Sequence, residues 1–157
     1  MGRRRRHRRR RVHRPRTENP RGEHRAARRI RFRNSGGSHP MSTVNDLIQR
    51  YIAVWNERDS AARTALIAAA LTEDSVYSDP DHAALRGHAE LSSVVAQARE
   101  RFGDLVFTLG TVINVHHDVA LFTWRLGAPD GGNPVATGYD FVEIAGDRIR
   151  RVVGFFE

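Results

Sequence analysis

The chain has 157 residues with 26 Arg, no Lys and 18 acidic side chains, a formal net charge of +8. It has no Cys, which excludes disulfides, thiolate metal sites and a cysteine nucleophile. No apolar run approaches the roughly 20 residues of a membrane-spanning helix.

The charge is divided along the chain. Residues 1–40 hold 16 Arg against 2 acids, a net of +14, whereas residues 41–157 hold 10 Arg against 16 acids, a net of −6. The first segment has too few apolar side chains to offset chain entropy and is expected to be disordered. Its twin arginines lack an apolar segment behind them, so it is not an export signal, and a cytoplasmic location agrees with this. Two readings of the segment stand. As a true Arg-rich tail it would bind nucleic acid through phosphates, without base specificity, since Phe32 is its one aromatic residue. Alternatively it lies upstream of the true start, Met41. The folded domain is residues 41–157.

From Thr43 the apolar positions Val44, Leu47, Ile48, Tyr51, Ile52 and Trp55 follow a helical stripe. Thr43 is expected to cap this first helix, with Asp46 in its first turn. A second helix is expected after the Asp59-Ser60 cap through "AARTALIAAAL", ended by "TEDS". Val76-Tyr77 then forms a short strand that stops at Asp79-Pro80. A third helix starts near Gly87, with Leu91, Val94, Val95, Ala98 and Phe102 on one face, and ends at Gly103-Asp104.

The period then changes to two. Residues 105–116, 119–127, 134–144 and 148–156 are predicted strands joined by short, turn-like links, which makes an antiparallel meander. Helices followed by a meander define an α+β fold with the helices against one face of a curved sheet. The strands carry apolar residues on both faces: Val106 and Val112 alternate with Phe107, Leu109 and Ile113. A half-covered sheet normally keeps one polar face, so the second apolar face points to a homodimer that buries sheet against sheet.

This order of elements, with "QRYIAVWNERD", "VYSDP" and "GYDFVEIAGDRI", resembles the SnoaL-like and nuclear-transport-factor-2-like superfamily, which includes steroid Δ-isomerases and polyketide cyclases. The resemblance covers about residues 43–156. It implies a cone-shaped roll: three helices packed on a curved antiparallel (mixed) sheet around an apolar pocket. It also implies three polar residues in that pocket. Asp79, before proline, would be a proton-shuttling base; Tyr51 on the first helix and Asp140 on the penultimate strand would bind an oxyanion. The epoxide-hydrolase branch does not fit. It needs an Arg-x-Asp pair on the second long strand, where Arg125 is followed by Leu126 and Gly127, and Gly154 stands where a second acid would be expected.

The residue chemistry agrees with proton transfer next to a carbonyl, which needs a base on one side and donors for the enolate oxygen on the other. A buried aspartate kept protonated can be such a donor, as in the well-known ketosteroid isomerase case. Structural alternatives remain open for each residue: Tyr51 as a core tyrosine, Asp140 paired with Arg125 or Arg148, Asp79 as a turn residue. Trp55, Trp124, Phe122 and His82 are the candidate substrate contacts. No metal-ligand spacing occurs, and no cofactor is expected. The expected function is isomerase- or cyclase-type catalysis on a small apolar carbonyl compound. The alternatives are a non-catalytic ligand-binding or dimerisation module, and a nucleic-acid-associated protein acting through its tail.

Overall fold

The structure, a computed structural model, describes residues 41–157; the expected tail and its nucleic-acid reading lie outside the described residues. Helix α1 spans Met41–Asn56 and α2 spans Ser60–Ala70. Strand β1 covers Leu71–Ser78 and the short β2 covers Leu85–Arg86, followed by α3 at Gly87–Phe102. The meander is β3 at Val106–His116, β4 at Val119–Gly127, β5 at Ala136–Ala145 and β6 at Arg148–Phe156.

The six strands form one curved, unclosed sheet in the order β2-β1-β6-β5-β4-β3, with the helices packed against it. The β1–β6 pair is parallel and the other pairs are antiparallel. The fold is therefore α+β with a mixed sheet. The inner face of the sheet, with Phe122, Val142, Ile144, Ile149 and Val152, packs against the α1 stripe Val44, Leu47, Ile48 and Tyr51.

Two local expectations differ from the structure. Helix α1 includes Met41, so Thr43 lies inside it rather than at its cap; helix ends vary by a residue or two because terminal turns fray. Helix α2 ends at Ala70, just before "TEDS" as expected, but the strand is longer than Val76-Tyr77: it begins at Leu71 and includes "TEDS". There the pairing slips from Leu71↔Ile149 to Val76↔Arg151, so the polar run is taken up in a bulge with Glu73 and Asp74 in solvent. His88 Nε2 lies 2.9 Å from the Thr72 carbonyl oxygen and 3.2 Å from that of Leu71, and supplies these acceptors with a donor.

Asp59 caps α2, its carboxylate accepting from the Ala62 N–H at 2.8 Å. At the end of α1, Asn56 behaves as a short piece of strand. Its Nδ2 donates to the Phe107 carbonyl at 2.8 Å, and its Oδ1 accepts from the Phe107 N–H at 2.7 Å. This two-point clamp fixes the helix to β3 at the edge of the cone. Face α3 divides: Leu91 and Val95 enter the core, while Val94, Ala98 and Phe102 turn to a cavity. On the outer face of the sheet, Leu121, Phe141 and Val153 stand in register across β4, β5 and β6, each half-buried.

Candidate functional site

The helices and the sheet enclose a cavity of about 550 Å³, inside the range of small-molecule sites. The strand register decides what faces it. Ser78 pairs with Val153, and Asp140 pairs with Gly154. Asp79, the first residue after β1, thus arrives level with Gly154, and the two aspartates flank that glycine. A Cβ at position 154 would stand 3.2 Å from Asp140 Oδ1 and 3.5 Å from Asp79 Cβ. Glycine gives the two side chains room there, and an added methyl group would press on the Asp140 carboxylate.

Asp140 is the floor of the site. It is 4% exposed, and it accepts from the Tyr51 hydroxyl at 2.9 Å and from Trp124 Nε1 at 3.1 Å. Neither Arg125 nor Arg148 pairs with it; Arg148 lies nearest Asp147, at 3.9 Å. Burial pushes the Asp140 carboxyl up to about 6, against the lowering effect of its two hydrogen bonds, and the charge of Asp79 adds to the rise. The Tyr51 hydroxyl is held well above the ordinary tyrosine range by burial, and then by the negative charge of Asp140.

Trp124 reaches Asp140 because position 138 has no side chain. A Cβ on Gly138 would fall 2.3 Å from the indole ring and 2.3 Å from the Phe155 carbonyl oxygen. The indole lies in the space so released. Around it runs an aromatic wall: Phe107 at 5.5 Å and Phe156 at 5.6 Å from Trp124, and Trp55 at 5.8 Å from Phe107.

The second polar centre is the loop after β1. Asp79 Oδ2 accepts from the Tyr77 hydroxyl at 2.8 Å, while Oδ1 accepts from the N–H groups of Asp81 and His82 and lies 2.9 Å from His82 Nδ1. The backbones of Asp79 and His82 also bond reciprocally, at 2.9 and 3.2 Å. The Tyr77 hydroxyl is pushed well up, by burial first and then by Asp140 and Asp79. Asp79 is a turn residue in its backbone and a cavity residue in its side chain.

Six of the seven residues singled out from the sequence line this cavity: Tyr51, Asp79, Asp140, Trp55, Trp124 and His82. Phe122 does not. It is fully buried behind the cavity, edge-on to Tyr51 with ring centroids 6.2 Å apart. Tyr77, Phe107 and Phe156 also line the cavity and were not anticipated. Tyr77 was within reach of the sequence, since residues two apart on a strand share a face and Asp79 follows it by two. Phe107 carried no comparable signal, because which face of β3 turns inward depends on the clamp from Asn56. Among the described residues, no group of three or more His, Asp or Glu side chains is arranged to hold a metal ion. No helix among them is long and apolar enough to cross a membrane.

Among the described residues the site is thus an aromatic-walled cavity in a cone-shaped α+β roll, with Asp79, Asp81 and Asp140 in its lining. Residues 48–152 match the SnoaL-like domain family. The chain belongs to that family. Among solved structures it is similar to a proposed isomerase of the SnoaL-like family from Agrobacterium tumefaciens, at 34% identity and a TM-score of 0.67, over 74% of this chain and 99% of that one. It is also similar in fold to a proposed ketosteroid isomerase from Kribbella flavida, at 21% identity and a TM-score of 0.55, over 74% and 78% of the two chains. A proposed polyketide cyclase from Sinorhizobium meliloti shares the fold at 20% identity and a TM-score of 0.54, over 71% and 97%. No curated protein matches the chain.

Proposed function

We propose that the protein catalyses cofactor-independent proton transfer on a small apolar carbonyl compound, as an isomerase or a cyclase does. The observation that carries this reading is Asp140: a carboxyl buried in an apolar cavity, bonded to a tyrosine and a tryptophan and, among the described residues, not to an arginine. A structural aspartate at such a position would ordinarily be neutralised by a cation. An aspartate with a pKa raised to about 6 instead exchanges its proton near neutrality. An apolar ligand that drives water from the cavity removes the remaining hydration and raises it further.

The step balances within the ligand and the protein. A base at the Asp79 end takes a proton from carbon next to the carbonyl, and the electron pair moves to oxygen. Protonated Asp140 gives its hydrogen to the Tyr51 oxygen or to the enolate directly. In the first case the Tyr51 hydroxyl hydrogen turns to the enolate. The proton then returns to carbon, at the same or a conjugated position. Donors fixed in a water-poor site stabilise the enolate more than water does. The binding-module reading retains one point of support: in the resting structure both Tyr51 and Trp124 direct their hydrogens at Asp140. It loses its other support, since no arginine among the described residues bonds to Asp140. The row Leu121, Phe141 and Val153 supports the homodimer through the outer sheet face.

The test is solvent-deuterium incorporation into 2-tetralone, an apolar ketone with an activated methylene, followed by NMR. Wild-type protein is expected to accelerate exchange, and Asp140→Leu, which has no donor, to lower the rate by about 10²-fold, the usual size for loss of one oxyanion donor. Exchange at the buffer rate with wild-type protein would leave ligand binding alone as the function.

A further inference from the structure

The geometry points to His82 Nε2, not an oxygen of Asp79, as the atom that takes the proton from substrate carbon, with Asp79 as the residue that positions the ring. This rests on the proton-transfer reading above and names the base within it. The Asp79 carboxylate already receives four donors: the Tyr77 hydroxyl at 2.8 Å, the Asp81 and His82 N–H groups at 2.9 and 2.7 Å, and His82 Nδ1 at 2.9 Å. A carboxylate has about four acceptor positions. Three of these donors fall on Oδ1 and one on Oδ2, so the acceptor capacity that is left lies on Oδ2, the oxygen that the Tyr77 hydroxyl holds. Its side chain is also only 5% exposed, whereas that of His82 is 31% exposed and lines the same cavity.

The bond to Asp79 decides the tautomer. A carboxylate only accepts, so the ring nitrogen facing it must carry the hydrogen. With Nδ1 protonated, a neutral imidazole presents its lone pair at Nε2. That atom has no protein partner among the described residues. The carboxylate would also stabilise the imidazolium formed when Nε2 accepts a proton, the role an aspartate has beside histidine in hydrolytic triads. The loop is built to hold this register. The Asp79 and His82 backbones bond to each other in both directions, and Ala84, at a φ of 57°, is held by its N–H bond to Ser78 Oγ at 3.2 Å. A non-glycine residue in that region is uncommon and persists where surrounding bonds enforce it. The other charged groups facing the cavity are Asp81, Arg101, Asp140 and Glu157; none of these bonds to the imidazole.

Two measurements on the full chain decide the matter. Long-range ¹H–¹⁵N NMR of histidine-labelled protein, with the His82 ring assigned by its loss in His82→Gln, reads the tautomer without any substrate. The Nδ1–H form is expected in the wild type and a shift towards Nε2–H in Asp79→Asn. A wild-type ring in the Nε2–H form overturns the assignment. The second measurement is deuterium exchange into 2-tetralone. His82→Gln is expected to lose about 10²-fold or more, and His82→Ala to regain activity when free imidazole is added. Exchange that survives in His82→Gln and is lost in Asp79→Asn removes this assignment alone and returns the proton to Asp79. Absence of exchange in the wild type removes both this assignment and the reading on which it rests.

Discussion

Tyr51 and Asp140 are 89 residues apart in the chain and meet at 2.9 Å, with both side chains out of contact with bulk water. The contact joins the first helix to the fifth strand across the core. It also leaves a carboxyl group whose proton is held more tightly in the folded protein than in the open chain.

That difference has a sign in the dependence of stability on pH. The folded pKa of about 6 lies above the ordinary value of 3.8, so between these limits the native state binds more protons than the unfolded chain. The Asp140 contribution is complete below about pH 4 and is lost as pH rises through about 6. It amounts to about 3 kcal/mol. Asp140→Asn keeps the shape and can donate to the Tyr51 oxygen while accepting from Trp124. Urea melts of both proteins from pH 4 to 8 are expected to show the variant gaining on the wild type as pH rises. A constant difference across that range would mean Asp140 titrates as an ordinary carboxylate.

Tyr51→Phe removes one of the two donors that favour the ionised form. Its cost is expected to be about 1.5–3 kcal/mol at pH 8, where Asp140 carries charge, and smaller at pH 5, where the acid is largely protonated. Thermal or urea melts at the two pH values measure this. An equal cost at both would show that the tyrosine contributes packing rather than a charge-assisted bond.

Gly154→Ala places a methyl group between the two aspartates, 3.2 Å from Asp140 Oδ1. The carboxylate has to give by a few tenths of an ångström while it remains bonded to Tyr51 and Trp124. The expected result is a stability loss of about 1–3 kcal/mol together with a larger loss of exchange activity, since small misplacements in a site are costly. Unchanged activity in a well-folded variant would argue that the spacing of the two aspartates is not used.

Asn56→Ala removes the clamp between α1 and β3. Both the Phe107 N–H and its carbonyl lose their partner at once, and the loss is expected to be about 1–3 kcal/mol. Hydrogen exchange at the Phe107 amide is the direct measurement, and faster exchange confined to the start of β3 is the expected pattern. Full protection there would place the anchoring of β3 elsewhere.

Phe141 lies in the centre of the half-buried row on the outer sheet face, between Leu121 and Val153. Phe141→Glu puts a charge where an isologous sheet-to-sheet contact would meet itself. Sedimentation velocity is expected to show a dimer for the wild type and a monomer for the variant. A wild-type monomer at tens of micromolar would rule out a stable dimer through this face.

The sequence by itself determined the elements and the class of fold. Period-3.6 and period-2 patterns act over neighbouring residues, so the α1 stripe, the Asp59 cap and the four long strands were legible from local order alone. The candidates Tyr51, Asp79 and Asp140 came from the resemblance of "QRYIAVWNERD", "VYSDP" and "GYDFVEI" to the family, and the residues alone left a structural role open for each. Only the tertiary structure decided what these residues touch. The parallel β1–β6 pair sets Asp79 beside Gly154, and the antiparallel β5–β6 pair sets Asp140 on its other side; neither register is encoded within one segment. The same holds for Phe122, which falls behind Tyr51 while Phe107 reaches the cavity, since the inward face of a strand apolar on both sides is chosen by what packs on it. Whether Asp140 met an arginine or a tyrosine, and whether Asp79 kept a free oxygen, depended on side chains brought together from distant parts of the chain. Burial and hydrogen bonding set the chemistry of a carboxyl group, and both are properties of the folded protein.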